Sequence, residues 1–235
     1  MHTRSHSDTS LLKELELKLG YRFHSVNLLN ESLTHSSYAN ENKRKNYKYN
    51  ERLEFLGDAV LSIVISDYLY NNLSTLQEGE LTKIRASIVC EPSLAACSKK
   101  LNIGRFILLG KGEDVTGGRE RVSILADAFE AIIGAIYLDG GIEKAKVFIL
   151  NNLKETIDDA IHGRIHQDYK THLQELIQSE HTEKIVYEVI AEEGPDHDKI
   201  FHVHVKIGDR VVGIGSGKSK KEAEQNAAKE ALKEV

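Results

Sequence analysis

Glu51, Glu54 and Asp58 lie in the stretch NERLEFLGDAVL at positions i, i+3 and i+7. On a helix of about 3.6 residues per turn this spacing sets all three on one stripe, which Ser62 and Ser66 extend. Leu53, Leu56, Val60, Leu61 and Val64 flank the stripe on one side, and Phe55, Ala59 and Ile63 on the other. The pattern predicts a narrow polar groove between apolar walls, where neighbouring like charges repel unless something positive joins them. A second segment, SILADAFEAIIGAIYLDGG, repeats the theme: Asp127 and Glu130 stand three apart among Ile124, Leu125, Phe129, Ile132 and Ile133. Burying an unpartnered carboxylate costs several kcal/mol, so a bare pair there is disfavoured. Gly134 continues that stripe and would let another helix come close. If the two stripes face each other, Glu54, Asp58, Asp127 and Glu130 make one cluster of oxygen ligands suited to Mg²⁺, with Mn²⁺ as a substitute. The competing reading of each pair alone is a solvated or ion-paired face, with Arg52 and Arg85 as partners. A di-iron bundle would want Glu-x-x-His on two helices, and the chain contains none.

The elements that must position these residues are helical. The 235 residues hold only two prolines, six phenylalanines and no tryptophan, with 40% apolar and 29% charged residues. This composition predicts an aliphatic, mainly helical core of one large or two modest domains. Leu11, Leu12, Leu15 and Leu19 share a face between Ser10 as N-cap and Gly20 as terminator. Further helices are expected over residues 26–36, 50–72, 79–89, 92–100, 119–138 and 142–160. A lysine-rich loop, ANENKRKNYKYN, and a glycine-rich one, GKGEDVTGG, separate some of them. Near Gly163 the pattern changes to helix, three β-branched alternating strands and a final Ala/Glu/Lys-rich helix. The expected architecture is an all-α domain over 10–160, a linker over 161–167 and a small α+β domain (α-β-β-β-α) over 168–235.

The longest apolar run, Ala59 to Ile65, is interrupted by Ser62 and is far short of the roughly 18 residues of a membrane span. MHTRSHSDTS has no signal-peptide-like apolar segment, so a cytoplasmic protein without membrane attachment is expected. Cys90 and Cys97 read as core residues. The net charge of −5 argues against a simple electrostatic glue for nucleic acid. Any nucleic-acid binding must use locally clustered cations.

NERLEFLGDAVL resembles the signature stretch of bacterial ribonuclease III, and LTHSSY, EGELTKIRA and LADAFEAIIGAIYLDGG resemble that family's other blocks in the same order. The terminal segment, from DYKTHLQELIQ through GSGKSKKEAEQNAAKEAL, resembles a double-stranded-RNA-binding domain. The resemblance implies an endoribonuclease that cuts both strands of duplex RNA, leaving 5′-phosphate and 3′-hydroxyl ends with short 3′ overhangs. Ribosomal RNA precursors are the favoured substrates, alongside messenger and transfer RNA. It further implies that Glu54, Asp58, Asp127 and Glu130 bind divalent metal, with Asp58 and Glu130 catalytic and Glu51 and Glu78 near the cleavage site. Homodimers are implied too, with Phe55 plugging a socket on the partner. The chemistry agrees: phosphodiester hydrolysis needs an activated water and a neutralised leaving oxygen, which two metals roughly 3.5–4 Å apart supply. His35 then reads as a packed or hydrogen-bonded helix residue rather than a general base.

In the second domain 10 Lys and Arg face 14 Asp and Glu, so bulk charge again cannot be the attraction. Lys218, Lys220 and Lys221 cluster at the start of the last helix, where the helix dipole also favours phosphate. In the resembling domain the residues matching Thr171, Gln174, Gln178 and His197 enter successive minor grooves, a contact set that reads A-form shape over about 16 base pairs. Two other readings remain at this point: a duplex-binding protein that has lost cleavage, and a metal-stabilised scaffold.

Overall fold

The computed structural model describes residues 9–163, 169–180, 184–195 and 199–233. The chain divides into two compact units, Met1–Ile165 and His166–Val235. Helices of the first are α1 (Thr9–Leu19), α2 (Val26–Ser32), α3 (Ser36–Glu41), α4 (Glu51–Asn72), α5 (Glu78–Ile88), α6 (Glu91–Lys100), α7 (Lys111–Val115), α8 (Val122–Asn152) and α9 (Lys154–Ile161). In the second unit α10 (Tyr169–Glu180) precedes β1 (Ile185–Glu193), β2 (Ile200–Ile207), β3 (Arg210–Gly217) and α11 (Lys220–Ala231).

The first unit is built around α8, which is apolar on almost every side. Ile124, Leu125, Ala128, Phe129, Ala131, Ile132, Ile133, Ala135 and Ile136 are all buried. A helix apolar all round must be wrapped by others, and α4 and α6 pack directly on it. α8 is broken only at Gly141, whose φ of 78° lies in the left-handed region. The sequence pattern anticipated that break between residues 138 and 142, although the following helix divides again at Leu153. Just before the break, Asp139 accepts hydrogen bonds from the Tyr21 hydroxyl and the backbone N–H groups of His24 and Ser25, each at 2.8 Å. Against the upward pull of burial, these donors hold its carboxyl below the usual range. One side chain thus fastens the entry to α2 onto the central helix.

The helix expected over 26–36 stops at Ser32. Leu33 and His35 instead pair with Leu108, through Leu108 N to Leu33 O at 2.8 Å and His35 N to Leu108 O at 3.0 Å. His35 is therefore not inside a helix but caps α3, its Nδ1 accepting from Ser37 N at 3.2 Å. Two stretches expected as loops also contain short helices, α3 and α7.

In the second unit the antiparallel sheet has the order β1-β2-β3, with α10 and α11 packed against it over Leu173, Ile177, Val203, Val205 and Val212. The contact between β3 and α11 is backbone to backbone. A Cβ on Gly213 would stand 2.3 Å from Ala227 O, and one on Gly215 2.1 Å from Ala227 N. Ala223, Ala227 and Ala231 line the facing side of the helix and are fully buried.

Candidate functional site

The two acidic stripes meet because their helices cross without side chains between them. A Cβ on Gly57 of α4 would lie 1.8 Å from Glu130 O, and one on Gly134 of α8 would lie 2.2 Å from Leu53 O. Only glycine at both positions allows this approach. Gly57 is flanked by Glu54 and Asp58, while Gly134 follows Glu130 by four residues, so the crossing point is also where the carboxylates converge.

Glu54, Asp127 and Glu130 each place a carboxylate oxygen within 4.8 Å of the others, and all three are half-buried. Asp58 is exposed and stands outside that group, further along α4. Its charge nevertheless reaches Glu130: burial first, then Asp58, Glu54, Asp127 and Glu91, push the Glu130 carboxyl up to about 8. Burial and the charges of Asp127, Glu51 and Asp58 raise Glu54. Asp127 is raised by burial and by Glu91 and Glu51, with His35 opposing. Among the described residues no Lys or Arg ion-pairs with any of the four acids. Arg85, considered above as a partner, instead donates to Ser66 Oγ at 2.9 Å, at the far end of the same stripe.

Three crowded, uncompensated carboxylates are an electrostatic debt that a hard divalent cation removes, and an all-oxygen donor set is what Mg²⁺ and Mn²⁺ accept. The residues present fit such an ion. Glu51, in the first turn of α4, is exposed and acts on Glu54 and Asp127 through its charge. Glu78, first residue of α5, is exposed and accepts from Thr82 Oγ1 at 2.9 Å. Sequence reasoning passed over Gly57, which marks the crossing as clearly as Gly134, and Glu91, whose position at the start of α6 no spacing relates to the acids.

The groove expected between two apolar walls has only one in this chain. Leu53, Val60, Leu61 and Val64 are buried, whereas Phe55 is 80% and Ile63 60% exposed, with Ala59 exposed between them.

In the second unit Lys218, Lys220 and Lys221 are exposed at the start of α11. The cap is already furnished by the chain: Ser219 Oγ accepts from Glu222 N at 3.2 Å, and the Glu222 carboxylate accepts from Lys218 N at 2.8 Å. Two N–H groups that could have met a phosphate are thus engaged, so phosphate contact here falls to side chains such as the exposed Lys220 and Lys221. Lys220 lies 3.6 Å from Glu192, a solvent-exposed pair that costs little to break. Gln174 is exposed on α10. Thr171 and Gln178 belong to α10, but their side chains lie outside the described residues, as does His197.

Residues 25–157 match the family model described as Ribonuclease-III-like, and residues 169–235 match the double-stranded RNA binding motif. A protein named Ribonuclease 3 from Caldanaerobacter subterraneus subsp. tengcongensis is 57% identical over 225 residues, covering 96% of this chain and 98% of its own length. Another, from Clostridium tetani, is 53% identical over 95% of this chain and 94% of its own. Among solved structures, the nuclease domain of ribonuclease III from Campylobacter jejuni superimposes with a TM-score of 0.57 at 46% identity, covering 61% of this chain and 96% of that one. That domain was described for structural flexibility in a region involved in dimer formation.

Proposed function

Because the chain belongs to the ribonuclease III family and is an endoribonuclease with a double-stranded-RNA-binding domain, we propose that it hydrolyses phosphodiester bonds of duplex RNA by a Mg²⁺-dependent route. The observation that carries this reading is the convergence of Glu54, Asp127 and Glu130 at the Gly57–Gly134 crossing with no cationic side chain among the described residues paired to them. In this reading Glu54, Asp58, Asp127 and Glu130 hold the metal, Asp58 and Glu130 acting directly at the reacting phosphate, with Glu51 and Glu78 beside the cleavage site. The bound cation supplies a more acidic water and neutralises charge on the leaving oxygen. The protein's own contribution is positional. Two helices touching through backbone fix the ligands, and half-burial keeps competing water away from them. Burial, and after it the neighbouring acids, raises the carboxyls of Glu54, Asp127 and Glu130, so cation binding there would be favoured as pH rises.

The products of this reaction are 5′-phosphate and 3′-hydroxyl ends with short 3′ overhangs, and the substrates are structured precursors of ribosomal, messenger and transfer RNA. The nuclease occupies residues 10–160 and the RNA-binding domain 168–235, joined by a linker over 161–167. Thr171, Gln174, Gln178, His197, Lys218, Lys220 and Lys221 read the A-form duplex by shape. Phe55 plugs a socket on a second copy, a reading favoured by the exposure of Phe55 and Ile63 as a large apolar stripe beside the site. No helix among the described residues is long and apolar enough to cross a membrane, in keeping with a cytoplasmic enzyme.

The test is cleavage of a blunt duplex of about 25 base pairs. Mg²⁺ is expected to support cutting, and EDTA to abolish it while leaving helical circular dichroism within a few per cent of its starting value. Unfolding on chelation would instead make the acids a structural clamp, and cutting in EDTA would remove the metal from the mechanism. For the RNA-binding domain, Lys220→Ala with Lys221→Ala is expected to weaken duplex affinity and to reduce the slope of log affinity against log salt by about 1–2. An unchanged slope would remove these lysines from the interface.

A further inference from the structure

The turn between α3 and α4 concentrates charge as no other part of the nuclease unit does: Lys43, Arg44, Lys45 and Lys48 put four cations in six residues, interleaved with Tyr47. Several cations elsewhere on this unit pair with carboxylates, as in Lys100 with Glu155, Arg105 with Glu14, Arg119 with Asp114 and Lys146 with Asp67, and the others are not grouped in this way along the chain. Lys43, Arg44 and Lys45 ion-pair with no described carboxylate, and all three are exposed. Lys48 reaches Glu31 only at 4.0 Å. Glu41, the one acid of the segment, packs its carboxylate against Gly110 instead.

The turn is also built, not slack. Residues 43–45 form a 3₁₀ turn that ends on Asn46 in the left-handed region at φ 47°. Asn42 Nδ2 donates to Tyr38 O at 2.9 Å, the Tyr38 and Tyr47 rings pack 5.6 Å apart, and Lys45 Nζ sits 5.8 Å from the Tyr47 ring. Its far end is pinned by Asn50 N donating to Thr34 O at 2.9 Å. The buried Asn50 then accepts from Leu53 N and Glu54 N, so the basic turn runs straight into the first turn of the helix that carries Glu51 and Glu54. Lys45 and Asn50 are five steps apart along the chain, which bounds their Cα separation at about 18 Å.

We propose that the Lys43–Lys48 turn is a phosphate-binding surface of the nuclease unit, gripping the RNA backbone beside the phosphate that the acidic cluster attacks. The inference rests on the nuclease reading above and names where, on a chain of negative net charge, its catalytic half finds attraction for a polyanion. Uncompensated cations on an ordered turn bind phosphates by releasing counterions, which makes salt dependence the direct readout.

The experiment compares full-length protein with the triple variant Lys43→Ala, Arg44→Ala, Lys45→Ala. Affinity for a 25-base-pair RNA duplex is measured by fluorescence anisotropy in Ca²⁺ at several salt concentrations, and cleavage separately in Mg²⁺. A control, Lys18→Ala with Lys99→Ala, removes exposed charge elsewhere on the unit, and Lys43→Arg with Lys45→Arg preserves it in place. The triple variant is expected to lower the salt slope by about 2–3 and affinity about tenfold at physiological salt, to raise KM and to change kcat less than twofold. The arginine variant should match wild type, and the distant control should move the slope by less than about 0.5. A triple variant with wild-type slope, or a distant control that lowers it equally, overturns the proposal. Wild-type protein that binds duplex but never cuts it would overturn the nuclease reading, and the anisotropy slopes would still decide the role of the turn.

Discussion

Glu130→Gln is expected to lower kcat/KM on duplex RNA by about a thousandfold or more, with duplex affinity in Ca²⁺ held within about threefold. The amide keeps the shape of the side chain but removes one anionic ligand from a set of three that already converges within 4.8 Å. The same substitution should have the opposite effect on metal-free stability. Glu130 is pushed up to about 8, above the ordinary glutamate value that it regains on unfolding. A carboxyl with a raised folded pKa favours the folded state while it keeps its proton, and that contribution is lost as pH rises from about 4.5 through about 8. Glutamine loses nothing over that window. In EDTA the advantage of the variant should therefore be small near pH 5 and largest above pH 8. With discounting for solvent screening it amounts to about 1–2 kcal/mol, a rise in Tm of about 3–6 °C. Mg²⁺ should close the gap by stabilising the wild type alone. A variant that cuts normally would refute the assignment of Glu130. A variant less stable than wild type in EDTA at pH 8 would show that the acid crowding is not where the geometry puts it.

Gly57→Ala should injure both stability and chemistry. Alanine is favoured over glycine in a helix interior by about 1 kcal/mol, so on propensity alone the change would help. At this crossing the new methyl lands 1.8 Å from Glu130 O, a backbone atom that cannot swing aside. The helices must separate, which costs more than the propensity gain; a net loss of about 2–3 kcal/mol and a fall in Tm of about 5–10 °C are expected. Separation also carries Glu54 away from Asp127 and Glu130. A displacement of about 1 Å between catalytic groups costs on the order of a hundredfold in rate, so kcat should fall far more than duplex affinity. Wild-type melting and turnover in this variant would mean that α4 and α8 do not touch at this point.

The acidic stripes, the break in α8 and the helix-strand-strand-strand-helix order of the second unit were legible because each is a local periodicity. A stripe repeats every three or four residues, and Asp-Gly-Gly after a long apolar run announces its own interruption. What could not be read locally depends on neighbours. α3 and α7 hold six and five residues, too few to persist on their own, and exist because tertiary contacts and caps hold their ends. His35 looked helical by its surroundings, yet the pairing of Leu33 and His35 with Leu108, more than seventy residues away, ends α2 and turns His35 into a cap. The Phe55, Ala59 and Ile63 flank reads as apolar wall in one dimension, but nothing in the chain's periodicity says whether a wall has anything leaning on it. Asp58 lies on the predicted stripe but outside the tight group, since periodicity gives the face of a helix and not the reach of each side chain on it.

The glycine track under α11 bears on binding entropy. Where helix and strand meet through main chain at 2.1–2.3 Å from any added carbon, no side-chain rotation can loosen the seat or let the helix roll. The lysines at its start therefore travel with the sheet as one solid piece, and little backbone freedom is left there to be surrendered when a duplex docks.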